Sequence, residues 1–123
     1  MKKLFCCLIL CMTAFLCFAD EEFEKVKAAA EQGDAIAQFF LAVMYNKGDG
    51  IPTDKKQAFY WYTKSAEKGH AFAQFNLAFM YYNGEGTLVD KKKAAYWVKQ
   101  AYENGLNKAK DFWDAYELWK YQE

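Results

Sequence analysis

The chain has 123 residues, with sixteen lysines, no arginine and sixteen acidic residues, for a formal net charge of zero. That length supports one domain with a real core and not two. A balanced charge without arginine's bidentate fork argues against a reader of nucleic acid or phosphate.

The first stretch, "MKKLFCCLILCMTAFLCFAD", places Lys2 and Lys3 before an apolar run from Leu4 to about Leu16, followed by Cys17, Phe18 and Ala19. This is the order of a secretory signal peptide over residues 1–19, with a cut expected after Ala19. The run is shorter than the roughly 20 residues that span a bilayer, so no membrane span is expected in the mature chain. A lipid anchor is disfavoured, because Cys11 and Cys17 each follow a leucine where a small residue is usual. All four cysteines lie before Ala19, so the chain from Asp20 onward carries none. It is therefore expected to be exported, to a bacterial periplasm or the medium, and held by its apolar core without disulfides. Loss of Lys2 and Lys3 leaves fourteen lysines against sixteen acids, a formal charge of −2.

Beyond Asp20 the chain repeats itself. "AQFFLAVMYNKGDG" at 37–50 returns thirty-six residues later as "AQFNLAFMYYNGEG" at 73–86. The same shift matches Gly33, Gly69 and Gly105, then Ala37, Ala73 and Ala109, and pairs Leu41 with Leu77, Tyr45 with Tyr81, Asp54 with Asp90 and Trp61 with Trp97. Periods of this length mean stacked supersecondary units, each burying its apolar face against the next. The expected fold is all-α, with helices at about 22–31, 34–46, 54–68, 70–82, 90–104 and 106–120. Ala37, Leu41, Met44, Tyr45 and Gly48 mark the stripe of a first helix, and Ala58, Trp61, Tyr62 and Ser65 that of a second. Asp54 and Asp90 precede the second helices as N-caps, with Gln57 at the capping-box position. Gly69 and Gly105 close them. Residues 22–31 align with a second helix, Phe23 opposite Phe59 and Ala30 opposite Ala66, whereas the segment from Leu106 aligns with a first helix. The domain over 20–123 is thus two full units, about 33–68 and 69–104, flanked by half-units.

Gly48-Asp49-Gly50 and Gly84-Glu85-Gly86 close each first helix. A phosphate loop needs a strand before it and a helix start directly after, and an acid between the glycines would repel phosphate. The motif reads as a helix stop and a tight reversal that uses both glycines.

The stretch "AEQGDAIAQFFLAVMYNKGDGIPTDKKQAFYWYTKSAEKG" resembles the Sel-one-like repeat, a relative of the tetratricopeptide repeat. It carries the A-x-x-G start, the A-Q-x-x-L core, the Y-x-x-G-x-G turn, the D-x-x-x-A helix start and the W-Y pair. The resemblance implies an α/α superhelix that serves as an adaptor for other proteins. Thr87-Leu88-Val89, in place of Ile51-Pro52-Thr53, implies a less rigid second linker.

Positions that hold a stack together should agree between copies, and those that meet a partner are free to differ. Ile36, Phe40, Val43 and Lys47 become Phe72, Asn76, Phe79 and Asn83, then Lys108, Phe112, Ala115 and Trp119. These positions step by four, three and four, which is one face of a helix. First helices of related superhelices line the concave side, so this stripe is the expected groove for a protein or peptide partner. Its site residues are Phe40, Val43, Lys47, Phe72, Asn76, Phe79, Asn83, Phe112 and Trp119, with rings supplying buried area and amides able to bond a backbone. The competing reading is that the same rings pack between units.

Chemistry finds few candidates. From Asp20 on there is one serine, one histidine and no cysteine. His70, opposite Asp34, reads as a solvated helix-start residue, and zinc would need three or four ligands. No metal or cofactor is expected. Ser65-Ala66-Glu67-Lys68 spells S-x-x-K, and a cysteine-rich secreted branch of the resembled family has been associated with β-lactam binding and hydrolysis. That is the alternative function. Against it, the next copy reads Ala101 to Asn104, the S-D-N and K-T-G companions are absent, and a solvated Lys68 would be charged rather than basic. Glu21, Glu22, Glu24, Asp111 and Asp114 read as solvated surface. The expected function is a non-catalytic interaction module.

Overall fold

The computed structural model describes residues 20–122. Six α-helices follow one another, and no strand occurs among the described residues. They are α1 (20–31), α2 (Ala35–Lys47), α3 (Lys55–Glu67), α4 (Ala71–Asn83), α5 (Lys91–Glu103) and α6 (Lys108–Ala115), with a closing 3-10 turn at Leu118–Tyr121. α2 packs on α3 and α4 on α5, while α3 contacts α4 and α5 contacts α6, so paired helices stack into an α/α solenoid of two full units and two half-units. The expected signal segment lies outside the described residues.

Repeated sequence produces repeated terminal chemistry. Asp34 caps α2 by accepting from the Ile36 and Ala37 N–H groups, and Asp54 caps α3 through Lys56 and Gln57. The reciprocal half of the expected capping box does not form. The Asp54 N–H donates instead to the Tyr45 carbonyl at 2.9 Å, as Asp90 does to Tyr81 at 2.9 Å, so each linker is tied back to the helix it left. The Thr87-Leu88-Val89 linker is fastened like its proline-bearing counterpart. Gly48 and Gly84 adopt the same left-handed conformation (φ 72°) and donate to the Met44 and Met80 carbonyls, closing α2 and α4.

The core is rich in alanine, which lets helix axes approach closely. Ala42, Ala58, Ala66 and Ala73 surround Leu77 and Tyr62 in one cluster, and Ala78, Ala95, Ala101 and Ala109 surround Val98 and Leu118 in the next. Polar side chains stitch units together at buried points. The Gln38 and Gln74 amides donate to the Ala30 and Ala66 carbonyls at 3.0 and 3.1 Å, and Ser65 donates to the Ala35 carbonyl at 2.6 Å.

One expected element is corrected. The helix predicted over 106–120 ends at Ala115, and Glu117 turns left-handed (φ 49°). The cause is a conflict of faces. Leu118 lies nine residues past Ala109, and at about 100° per residue a straight helix would point the two in opposite directions. The reversal lets both reach 0% exposure in the same cluster.

Candidate functional site

The first helices carry an unusual surface. α2 and α4 have one charged residue between them, Lys47, whereas α3 has four and α5 five. Their outward stripe leaves Ile36 58%, Phe40 52%, Phe72 49% and Phe79 40% exposed. Isolated apolar side chains on a surface need no explanation, but four on one wall do.

Between α2 and α4 lies a hollow of about 480 Å³ lined by Phe40, Val43 and Lys47 from one side and Phe72, Asn76 and Phe79 from the other. Six of the nine expected site residues therefore line one space. Its floor is Tyr62 of α3, only 2% exposed, whose phenol is pushed up to about 12 by burial, with Asn76 the polar group set against the hydroxyl. A second hollow of about 520 Å³ adjoins on the α1 side, sharing Phe40 and Val43 and adding Glu22, Val26, Met44 and Asp49. The two hollows share Phe40 and Val43, and the wall of first helices that carries them is the candidate groove.

The other three expected residues are placed elsewhere. Phe112 is half-buried in a ring cluster, 5.4 Å from Phe75, 6.1 Å from Phe79 and stacked on Tyr116 at 4.3 Å, so it buttresses the groove's far wall. The Asn83 amide donates to the Phe79 carbonyl of its own helix at 3.2 Å. Trp119 is carried off the stripe by the reversal at Glu117 and sits 54% exposed on the closing turn. The lining also includes Lys108, which stood on the variable stripe without being named a site residue, and Phe39, Asn46, Tyr62, Met80 and Glu85, which the comparison of copies missed. Tyr62 becomes Val98 in the next copy and Asn46 becomes Tyr82, so the same copy-to-copy difference marks them once second helices and flanking positions are included.

His70 is not the solvated residue its isolation suggested. It is half-buried, its ring centre lies 4.7 Å from that of Phe39, and Nδ1 accepts from the Ala73 N–H at 3.2 Å as the N-cap of α4. Only an unprotonated nitrogen can accept, and burial holds the imidazole below its ordinary range. The unfolded chain takes up this proton below about pH 6.5 and the folded chain only at lower pH. The cap's contribution is thus complete above about pH 6.5 and is lost as pH falls through the folded value. His70→Asp installs the residue its counterpart Asp34 already carries, and aspartate stays charged to about pH 4. Thermal melts at pH 7 and pH 5 are expected to show a loss of roughly 0.5 kcal/mol in the wild type, part of an ordinary cap, and none from this site in the variant.

The S-x-x-K motif is spent on structure. Ser65 is 0% exposed with its hydroxyl on the Ala35 carbonyl, and the Lys68 ammonium donates to the Gly33 carbonyl. Both ends of the motif fasten α3 to the turn that starts α2. Among the described residues no group of three or more His, Cys, Asp or Glu could hold a metal ion, and no helix is long and apolar enough to cross a membrane.

The Sel1 repeat pattern matches residues 35–70 and 71–106, more than half of the chain. Among solved structures, a Sel1 repeat protein from Oxalobacter formigenes is 40% identical over 71% of this chain and 36% of its own, with a TM-score of 0.70. A protective antigen present in uropathogenic Escherichia coli strains, which displays an SLR fold, is 42% identical over 68% of this chain and 18% of its own, with a TM-score of 0.66. Cysteine-rich protein B of Helicobacter pylori shares the fold at 22% identity, covering 76% of this chain and 70% of its own, with a TM-score of 0.72. This chain therefore spans about a third of the first protein and less than a fifth of the second. No curated protein matches it. Repeats of this kind typically act as protein–protein interaction modules. With two matched repeats, a helical-repeat architecture and solved Sel1 repeat neighbours, the chain belongs to the Sel1 repeat family.

Proposed function

We propose that this is an exported, non-catalytic adaptor that binds a segment of another protein in the groove between α2 and α4. The observation that carries this reading is the exposure of Ile36, Phe40, Phe72 and Phe79 along one nearly uncharged wall. A docked segment would bury those rings, and Asn76 offers an amide to its backbone. The absence of chemistry rests on Ser65, whose hydroxyl is enclosed and already donating. Export rests on the order of Lys2, Lys3, the apolar run and Ala19, together with a cysteine-free remainder.

The test is the double variant Phe72→Ala/Phe79→Ala, compared with wild type in cross-linking within intact cells and in thermal melting. Loss of cross-linked partners with melting changed by no more than a few degrees is the expected result. Collapse of the fold would assign the rings to packing, and retained partners with little change in melting would overturn the groove. The wild-type protein is expected to leave nitrocefin at its buffer rate, and N-terminal sequencing of the exported form is expected to begin at Asp20.

A further inference from the structure

The two halves of the groove carry opposite charge. On the α1 side the carboxylates are Glu22 and Asp49. In the half between α2 and α4, Lys47 of α2 stands exposed two residues before Asp49, and Lys108 closes the far end with its ammonium 5.3 Å from the Phe72 ring centre and 5.0 Å from that of Phe75. The one carboxylate lining that half, Glu85, is engaged by Lys55 at 3.6 Å. Among the described residues, no opposite charge lies within 4 Å of Glu22, Asp49, Lys47 or Lys108.

Resting on the groove reading above, we propose that the occupant is an extended partner segment with a basic residue at the α1 end, apolar or aromatic residues in the middle and an acidic residue at the Lys108 end. Charge complementarity selects among partners and fixes register more than it adds affinity. Helix axes lie about 8–10 Å apart. From α1 past α2 and α4 to α6 is three such steps, so the groove spans roughly 24–30 Å, about eight residues of extended chain. The aromatic faces under Lys108 hold its ammonium at the groove's end, where a partner carboxylate would meet it.

Four fluorescein-labelled peptides with a common Phe-Leu-Phe centre test this by anisotropy against the full chain. Two carry Lys-Lys at one end and Glu-Glu at the other, in either order; one carries Lys-Lys at both ends, and one Glu-Glu at both. A mixed peptide is expected to bind wild type tightest, with roughly a threefold preference per matched end, reduced by salt. Lys108→Glu is expected to move first rank to the doubly basic peptide, and Glu22→Lys/Asp49→Lys to the doubly acidic one. If ranking ignores these reversals while Phe72→Ala/Phe79→Ala still abolishes binding, the charge assignment is overturned and the groove stands. If no peptide binds wild type, or binding survives Phe72→Ala/Phe79→Ala, the groove reading itself falls and this inference with it.

Discussion

Leu77→Ala is expected to lower stability by roughly 3–4 kcal/mol, as for a fully enclosed leucine whose site cannot collapse. Leu77 has 0% exposure and sits in α4 among Ala42, Ala58, Ala66 and Ala73, with Tyr62 and Met80 closing the cluster. Alanines have no side-chain length with which to fill the void. In a stack, stability is the sum of unit and neighbour terms, so a loss at the junction of both full units is felt by each. The melting temperature should fall by roughly 15 °C or more for a domain of this size. Leu88→Ala, at a side chain 87% exposed in the second linker, should leave it unchanged. Paired thermal melts decide the matter, and equal melting of the two variants would mean that α4 is not the centre of the core.

Gly86→Ala should cost nearly as much, roughly 3 kcal/mol. Gly86 has φ +68°, and a Cβ there would stand 2.7 Å from the Lys55 carbonyl carbon and 3.2 Å from the Phe59 Cβ, with the Lys55 oxygen nearer still. These atoms are the backbone and stem of α3, so nothing flexible can yield. Gly105→Ala supplies the comparison, since its φ is +99° but a Cβ there would meet nothing within 4 Å. It should lose only the backbone strain, about 1–2 kcal/mol. The difference in urea midpoints measures how closely the second unit's loop is pressed on the first unit's second helix. Identical midpoints would show that left-handed strain alone explains why the second glycine of Gly84-Glu85-Gly86 is there.

Much of the fold could be read from the sequence because each signal occurs twice. Leu41 with Leu77 and Asp54 with Asp90 give both the period and the helix starts, and the six helices lie close to their expected places. The end of α6 could not be read, because no glycine or proline marks Glu117; only the pull of Leu118 toward its cluster demands the reversal. Trp119 was misplaced for that same reason. Within the groove, Phe40, Val43, Lys47, Phe72, Asn76 and Phe79 were legible from copy-to-copy variation. Tyr62 also differs between copies, becoming Val98, but a second-helix stripe looks the same whether its ring fills a core or paves a floor. His70 misled because a lone histidine at a helix start carries no sign of Phe39 beside it.

The tie between each linker and the tyrosine carbonyl it left, from Asp54 to Tyr45 and from Asp90 to Tyr81, is the same at both places. A thirty-six-residue block therefore begins and ends on matching fastenings, and behaves as a cassette. Adding or deleting whole cassettes would change the length of the wall of first helices in fixed increments, like marks on a ruler, while leaving every joint chemically unaltered. The length of that wall and its chemistry can then vary independently, the first through the number of cassettes and the second through the few side chains each one presents.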